Sequence, residues 1–287
     1  MTDRMTETTR PFLLAQVSDL HIKAGGKRSY RIVDTAGMLR ACIAHMLTQP
    51  QRPDVVVFTG DLVDFGRPDE YAVLRDLIAP LTMPVYLLPG NHDERGALRE
   101  AFPGHAYLSQ PGGTPDGAIV YAIDAHPVRI VALDTTVPGK PGGLVDAPRL
   151  AWLDARLAEA PGKPTVVLMH HPPFHTFIGH MDRQGLEGSA DLARVIEKHP
   201  QVERLLCGHL HRPIQARFAG TIACTVPGPA HQVALDLAED AASRFVMDPP
   251  AYGLHAYTPA AGMISHTAFV GQFAGPYPFY EGGKLID

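Results

Sequence analysis

Little in this sequence marks a secreted, membrane-bound or nucleic-acid-binding protein. Its 287 residues hold only three cysteines, Cys42, Cys207 and Cys224. That is too few for a disulfide framework in a chain of this length, although one pair remains free to bond. No apolar run approaches the ~18 residues a membrane span needs. No basic surplus exists either. Against 25 Lys and Arg stand 30 Asp and Glu, a formal charge of −5 at pH 7, so the electrostatic footprint of a nucleic-acid binder is missing. Residues 1–10 are polar, lack the apolar centre of a secretory signal, and read as a loose tail. The expected location is the cytoplasm. Internal repeats and low-complexity blocks are absent, and the single tryptophan, Trp152, reads as a packing residue.

What is present is a hydrophobic fraction of 45%, normal for a globular core, in a length that suits one large α/β domain with an appendage. Histidine is abundant at 15 residues, several in tight pairs. These pairs fall where apolar runs stop. The run 12–17 ends at Ser18-Asp19-Leu20-His21 and the run 55–59 at Gly60-Asp61-Leu62-Val63-Asp64. The run 85–89 ends at Gly90-Asn91-His92-Asp93 and the run 165–169 at His170-His171-Pro172, and the short strand pattern 202–207, apolar at Val202 and over 205–207, ends at Gly208-His209-Leu210-His211. A short β-branched run reads as a buried strand, so each motif delivers polar side chains to a sheet edge.

Taken singly, each motif has a plain alternative: an Asp that caps a turn, a pair of surface histidines, an Asn-His turn. In order and together they describe a two-metal site. Asp19 and His21 at i, i+2 fall on one side of extended backbone, so one cation can take both. Asp61 is the candidate bridge, since a carboxylate can bond two cations with its two oxygens, and Gly60 lets it face a close neighbour. Asn91 supplies a neutral ligand where another carboxylate would over-neutralise the site. One of His170 and His171 is expected to ligate, the other to orient it or touch substrate. His209 and His211 are expected to reach different metals.

Between these motifs helical patterns appear after Asp34, over residues 68–80, after Asp146 and over residues 189–199. Residues 119–124 and 128–134 read as an antiparallel pair, which makes the sheet mixed. Residues 103–117 read as a loop. So do residues 174–188, whose His175, His180 and Asp182 are expected to overhang the site. Beyond residue 211 the pattern is β, with 216–226 alternating and 254–258 and 263–269 forming a hairpin. Residues 273–280 are aromatic and rich in Pro and Gly, and are expected to pack on their own domain or on a neighbouring subunit.

The ordered set Asp-x-His, Gly-Asp-x-x-Asp, Gly-Asn-His-Asp, His-His-Pro-Pro and Gly-His-x-His resembles the calcineurin-like metallophosphoesterases over residues 12–212. Gly66-Arg67-Pro68-Asp69-Glu70-Tyr71, residues 169–173 and His231-Gln232-Val233 resemble the bacterial class III cyclic-nucleotide phosphodiesterases and especially the bacterial glycerophosphodiesterases. The resemblance implies a four-layer αββα sandwich with two mixed sheets: a core over residues 11–230, then a closing hairpin and cap or oligomerisation segment over 231–287. It implies that one metal takes Asp19, His21 and His211, the second Asn91, His170 and His209, with Asp61 between them. His92 would stand beside the leaving group, and His231, with His171, would line the substrate pocket. It also implies a homo-oligomer, a dimer or higher. The position three residues after Asp61, a ferric-ion tyrosine in purple acid phosphatases, is Asp64 here, so a Tyr-ligated ferric site is not supported.

Such a site hydrolyses a phosphoester by a metal-bridging hydroxide. Two divalent ions, two aspartates and a hydroxide leave a net charge of about +1, which suits a monoanionic diester at least as well as a dianionic monoester. The ligand set suits Mn, Fe, Co or Zn. The expected substrate is a small glycerophosphodiester. The alternatives are a 3′,5′-cyclic nucleotide and, in a different class, a non-catalytic metal-bound scaffold.

Overall fold

A computed structural model describes residues 10–110, 114 and 116–286; the expected tail lies, but for Arg10, outside them. Two mixed sheets face one another. In the first, strands Phe12–Val17, Val55–Thr59 and Val85–Leu88 run parallel. The hairpin Ala251–Thr258/Gly262–Phe269 joins antiparallel beside Phe12–Val17, with Leu14 opposite His255. The closing hairpin thus belongs to the core sheet. The second sheet has parallel Arg129–Leu133, Thr165–Leu168, Val202–Cys207 and Thr221–Thr225 at its centre, with Val120–Ile123 and Ile214–Phe218 antiparallel at its edges. All three cysteines are buried and free.

The layering follows from side-chain alternation. In the second sheet, Ile130, Ala132, Val166, Leu168 and Leu206 join the core shared with the first sheet and helices Thr35–Thr48, Pro68–Ile78 and Arg95–Ala101. Their neighbours Val131, Leu133, Val167, Leu205 and Cys207 face the opposite way, onto helices Ala147–Ala158 and Ser189–Ile196. A strand with period two and both faces apolar has to be covered on both sides, and the expected four-layer sandwich results.

Several elements differ from the sequence reading. Helix Arg95–Ala101 was not expected; its N-cap is Glu94, whose carboxylate accepts from Gly96 and Ala97 N–H, outside the usual Ser/Thr/Asp/Asn set. The stretch 216–226 is two strands turned at Ala219 and Gly220, both at positive φ. The loop 103–117 contains a 3₁₀ turn, Ala106–Ser109. The overhanging loop holds a helical turn, Gly179–Asp182, and a short strand, Leu186–Glu187, paired with Gly143–Leu144.

A buried ion network ties the helices to the second sheet. The fully buried Asp134 carboxylate accepts from Arg95 Nε at 2.7 Å, from Ile119 N at 2.9 Å and from Thr136 N at 2.8 Å. Arg149, equally buried, donates Nε to the Asp134 carbonyl at 2.9 Å and pairs with Asp116 and Asp146. Removing one partner of a buried ion pair strands the other. Asp134→Ala should therefore lower unfolding free energy by about 3–5 kcal/mol, read from chemical denaturation. A loss below about 1 kcal/mol, the ceiling for an exposed pair, would contradict this role.

Candidate metal centre

The strand-end loops of both sheets converge at one edge of the sandwich. Their backbones interlock: Asp19 N donates to the Gly60 carbonyl at 3.0 Å, Leu20 N to the Asp61 carbonyl at 2.8 Å, and Gly208 N to the His170 carbonyl at 2.9 Å. Five of the sequence-predicted ligands, Asp19, His21, Asp61, His209 and His211, have left-handed backbone with φ between 46° and 71°. Asp and His enter that region more readily than most residues, yet at a cost, and such strain clusters at functional sites. The extended backbone expected for Asp19 and His21 is therefore not observed; their side chains converge through two left-handed residues instead.

Close packing explains the glycines. A Cβ on Gly60, itself at φ 100°, would lie 2.3 Å from His170 Nδ1. One on Gly90 would lie 2.3 Å from both the Asp61 N and its Oδ1. These positions accept no side chain.

Asp61 is the centre of the arrangement. Its Oδ1 accepts from His92 N at 3.0 Å and lies 3.4 Å from His170 Nε2; its Oδ2 lies 3.5 Å from His21 Nε2. Asp19, His21, Asp61 and His211 offer ligand atoms within 4.8 Å of one another. On the other side of Asp61, His170 Nε2 faces Asn91 Oδ1 at 3.1 Å, and the His209 ring lies 5.2 Å from that of His170, centroid to centroid.

The hydrogen bonds select the ring tautomers. A carbonyl only accepts, so the ring nitrogen against it carries the proton. His170 Nδ1 donates to the Thr59 carbonyl at 2.8 Å, His211 Nδ1 to that of His231 at 3.2 Å, and His209 Nε2 to that of Gln184 at 3.1 Å. His211 Nε2 and His209 Nδ1 are left as acceptors, while His170 Nε2 turns to Asp61 and Asn91. His211 Nε2 stands 3.2 Å from His21 Nε2, and Asp19 Oδ2 is buried with no partner. Buried polar atoms without partners are costly, and cations beside Asp19 Oδ2 and the acceptor nitrogens of His211 and His209 would satisfy them, so the residues present fit two divalent metals.

The same packing sets the protonation of the cluster. Burial raises the Asp19 carboxyl to about 6. Burial works against charge on Asp61 too, but the imidazoles of His170, His92 and His21 hold it well below the carboxylate range. Burial alone lowers His170, while Asp61 beside it outweighs that and brings it to about 9. Burial, helped by His170, pushes His209 to about 3, and burial with His21 pushes His211 well below its ordinary value. His209 and His211 are thus neutral, the form that binds metal.

The remaining residues fall into two groups. His92 and His231 line a cavity of about 350 Å³ over the centre, together with Tyr30, His180, Arg244 and Phe245. His92 Nδ1 donates to the Asp64 carbonyl at 2.9 Å, which leaves Nε2 unengaged. His171 is fully buried behind the centre, its Nδ1 against Thr135 Oγ1 at 2.8 Å and its Nε2 against the Pro141 carbonyl at 3.0 Å, and does not reach the cavity wall. The expected substrate contact at His171 is not seen, because both ring nitrogens are engaged by protein. His180 does overhang the cavity; Asp182 instead accepts from Thr176 and Phe177 N–H, and His175 is exposed and faces a separate cleft.

Sequence reasoning missed Asp93, Asp64 and Gln16. Asp93 accepts from Leu62, Val63 and Gly90 N–H and from the Tyr71 hydroxyl, and so clamps the Asp61 loop to the Asn91 loop. Asp64 lies 3.3 Å from His21 Nδ1 and 2.7 Å from Lys23 Nζ, orienting a candidate ligand from behind. Gln16 Nε2 donates to Thr59 Oγ1 and to the Cys207 carbonyl, joining the two sheets beneath the centre. Asp93 and Asp64 stand inside motifs already singled out, so their spacing carried a signal; Gln16, mid-strand, carried none.

A sandwich of two mixed sheets with Asp, Asn and His loops meeting at one edge defines the calcineurin-like phosphoesterases. The chain belongs to this family, whose model matches residues 12–213, and the resemblance read from the motifs is borne out. Over 277 residues it is 40% identical to a probable glycerophosphodiester phosphodiesterase of Arcobacter nitrofigilis, covering 96% of this chain and 100% of that one. Over 256 residues it is 35% identical to a probable cyclic nucleotide phosphodiesterase of Rhodopseudomonas palustris, covering 87% and 89%. Its fold is similar to that of a dimetal phosphatase from Danio rerio, with a TM-score of 0.60 at 17% identity over 92% of this chain and 100% of that one. No helix among the described residues is long and apolar enough to cross a membrane.

Gly90→Ala tests the packing of the centre. The added methyl must push Asp61 aside, which should cost about 1–3 kcal/mol of stability and abolish tight metal uptake. Wild-type stability and metal content in that variant would contradict the close approach.

Proposed function

We propose that the chain is a two-metal phosphodiesterase acting on small diesters of the glycerophosphodiester kind. The observation that carries this is Asp61, one carboxylate with an oxygen turned toward each of two clusters of potential ligands. Asp19, His21 and His211 would hold one metal and Asn91, His170 and His209 the other, with Asp61 shared. Divalent ions such as Mn, Fe, Co or Zn supply, when bound, an acidified water and charge that offsets the phosphoryl oxygens.

The chain's own residues do the rest. His92, fixed through its Nδ1, turns Nε2 to the cavity, where it hydrogen-bonds the phosphoryl group or hands a proton to the departing alkoxide. The loops from both sheets hold the donors in place before substrate arrives, which removes reorganisation from the reaction step. The cavity of about 350 Å³ lies near the small end of ligand pockets. A 3′,5′-cyclic nucleotide is the second reading, favoured by the name of the second relative above.

We also assign the protein to the cytoplasm, in keeping with three free buried thiols. We take it to be a homo-oligomer of two or more copies: Phe273, Tyr277, Phe279 and Tyr280 stand exposed on the single chain, and apolar patches of this kind mark interfaces.

Elemental analysis with a substrate panel tests the function. About two transition metals per chain, activity lost on chelation and restored by Mn or Co, and higher kcat/KM on glycerophosphoethanolamine than on cAMP are expected. Higher efficiency on cAMP would reverse the order of the two readings. No metal uptake and no turnover of either substrate or of bis(p-nitrophenyl) phosphate would overturn both in favour of a scaffold.

A further inference from the structure

One hairpin builds the outer wall of the cavity. Gln232 and Val233 pair with Val246 and Phe245, and Ala234 N donates to the Arg244 carbonyl at 2.9 Å. The hairpin thus presents His231 at its start and Arg244-Phe245 at its end. His231 packs at a tilt on His211, 4.5 Å between ring centroids, and Phe245 and Tyr30 pack on His231 at 5.5 and 5.1 Å. Tyr30 and Phe245 are themselves 5.0 Å apart. These rings fill the space between one another, so they form a wall and leave no aromatic box for a cation.

Arg244 stands beside that wall. Among the described residues lining the cavity it is the one permanent cation. Among the described residues its one ion pair is loose, 3.8 Å to Asp236 on the same hairpin, with 68% of its side chain exposed. Its positive charge therefore sits at the rim of the cavity, largely open to solvent.

Resting on the phosphodiesterase reading, we propose that Arg244 is a specificity-determining residue of the outer alcohol subsite: it favours diesters whose alcohol there is neutral or anionic and disfavours alcohols that carry an ammonium group. Two like charges ~7 Å apart in a solvent-exposed site repel enough to change selectivity about threefold to tenfold. The effect has to weaken with salt, because the side chain is exposed.

The test compares kcat/KM for glycerophosphoglycerol, neutral at both alcohols, with that for glycerophosphocholine. Metal-loaded wild type, Arg244→Lys, Arg244→Gln and Arg244→Glu are assayed at about 0.02 M and about 0.5 M NaCl. Because glycerophosphocholine can enter in either sense, free choline and free glycerol are quantified separately. The neutral-to-cationic ratio is expected to be kept by Arg244→Lys. It should fall about threefold to tenfold in Arg244→Gln and further in Arg244→Glu, with the differences shrinking at high salt. The choline-to-glycerol product ratio should shift in the same order. Turnover with both ratios unmoved by Arg244→Glu, or moved equally by Arg244→Lys, overturns the subsite while leaving the diesterase reading intact. No turnover of either ester by wild type overturns that reading and the subsite with it.

Discussion

A buried carboxylate is tolerable only when positive charge and hydrogen-bond donors surround it, and Asp61, 3% exposed, meets that condition from two sides at once. One oxygen faces His21 and the other His170. Those histidines come from different sheets, so the carboxylate has both neighbours only if the sandwich closes in register. Gln16 spans the gap beneath it, and the Asp93 clamp fixes the loop that carries it. The glycines at 60 and 90 follow from the same constraint, since a methyl at either would occupy space taken by His170 or Asp61. The fold is in this sense built to bring two half-sites to one carboxylate.

The left-handed backbone at Asp19, His21, Asp61, His209 and His211 belongs with this geometry. Where a strand stops and the next residue turns left-handed, its side chain is aimed across the sheet edge and not along the strand. The backbone amides freed by the turn are paired to neighbouring loops, so the strain is held by hydrogen bonds that link one motif to the next. Ligand atoms gathered this way leave a buried carboxylate oxygen of Asp19 without a partner, a state that a cation would relieve.

Much of this was legible because the strands are buried on both faces. Continuous apolar runs such as Val55–Thr59 and Thr165–Leu168 read as buried strands, and the polar motif after each marks its end. The two mixed sheets followed from the antiparallel pair and the family resemblance. The backbone at Asp19 and His21 was not legible, since neither residue is a glycine to announce positive φ. Helix Arg95–Ala101 was hidden by its Glu94 cap and by an apolar face of only Ala97 and Leu98. His171 illustrates a further limit: adjacent histidines in sequence give no hint that one faces the centre and the other faces Thr135 and Pro141. The outer wall was hidden for a different reason. Tyr30 and Phe245 meet there from distant parts of the chain, in stretches whose composition marks no ligand. Chemistry at the centre is written in short motifs, whereas selectivity at the rim depends on tertiary placement.

The central claim is that one carboxylate serves both metals, and metal stoichiometry of Asp61→Ala beside Asn91→Ala tests it most directly. Loss of both metals from Asp61→Ala, with one retained by Asn91→Ala, is the result this account predicts. Two metals held by Asp61→Ala, in a protein that still folds, would contradict it and move the bridge elsewhere.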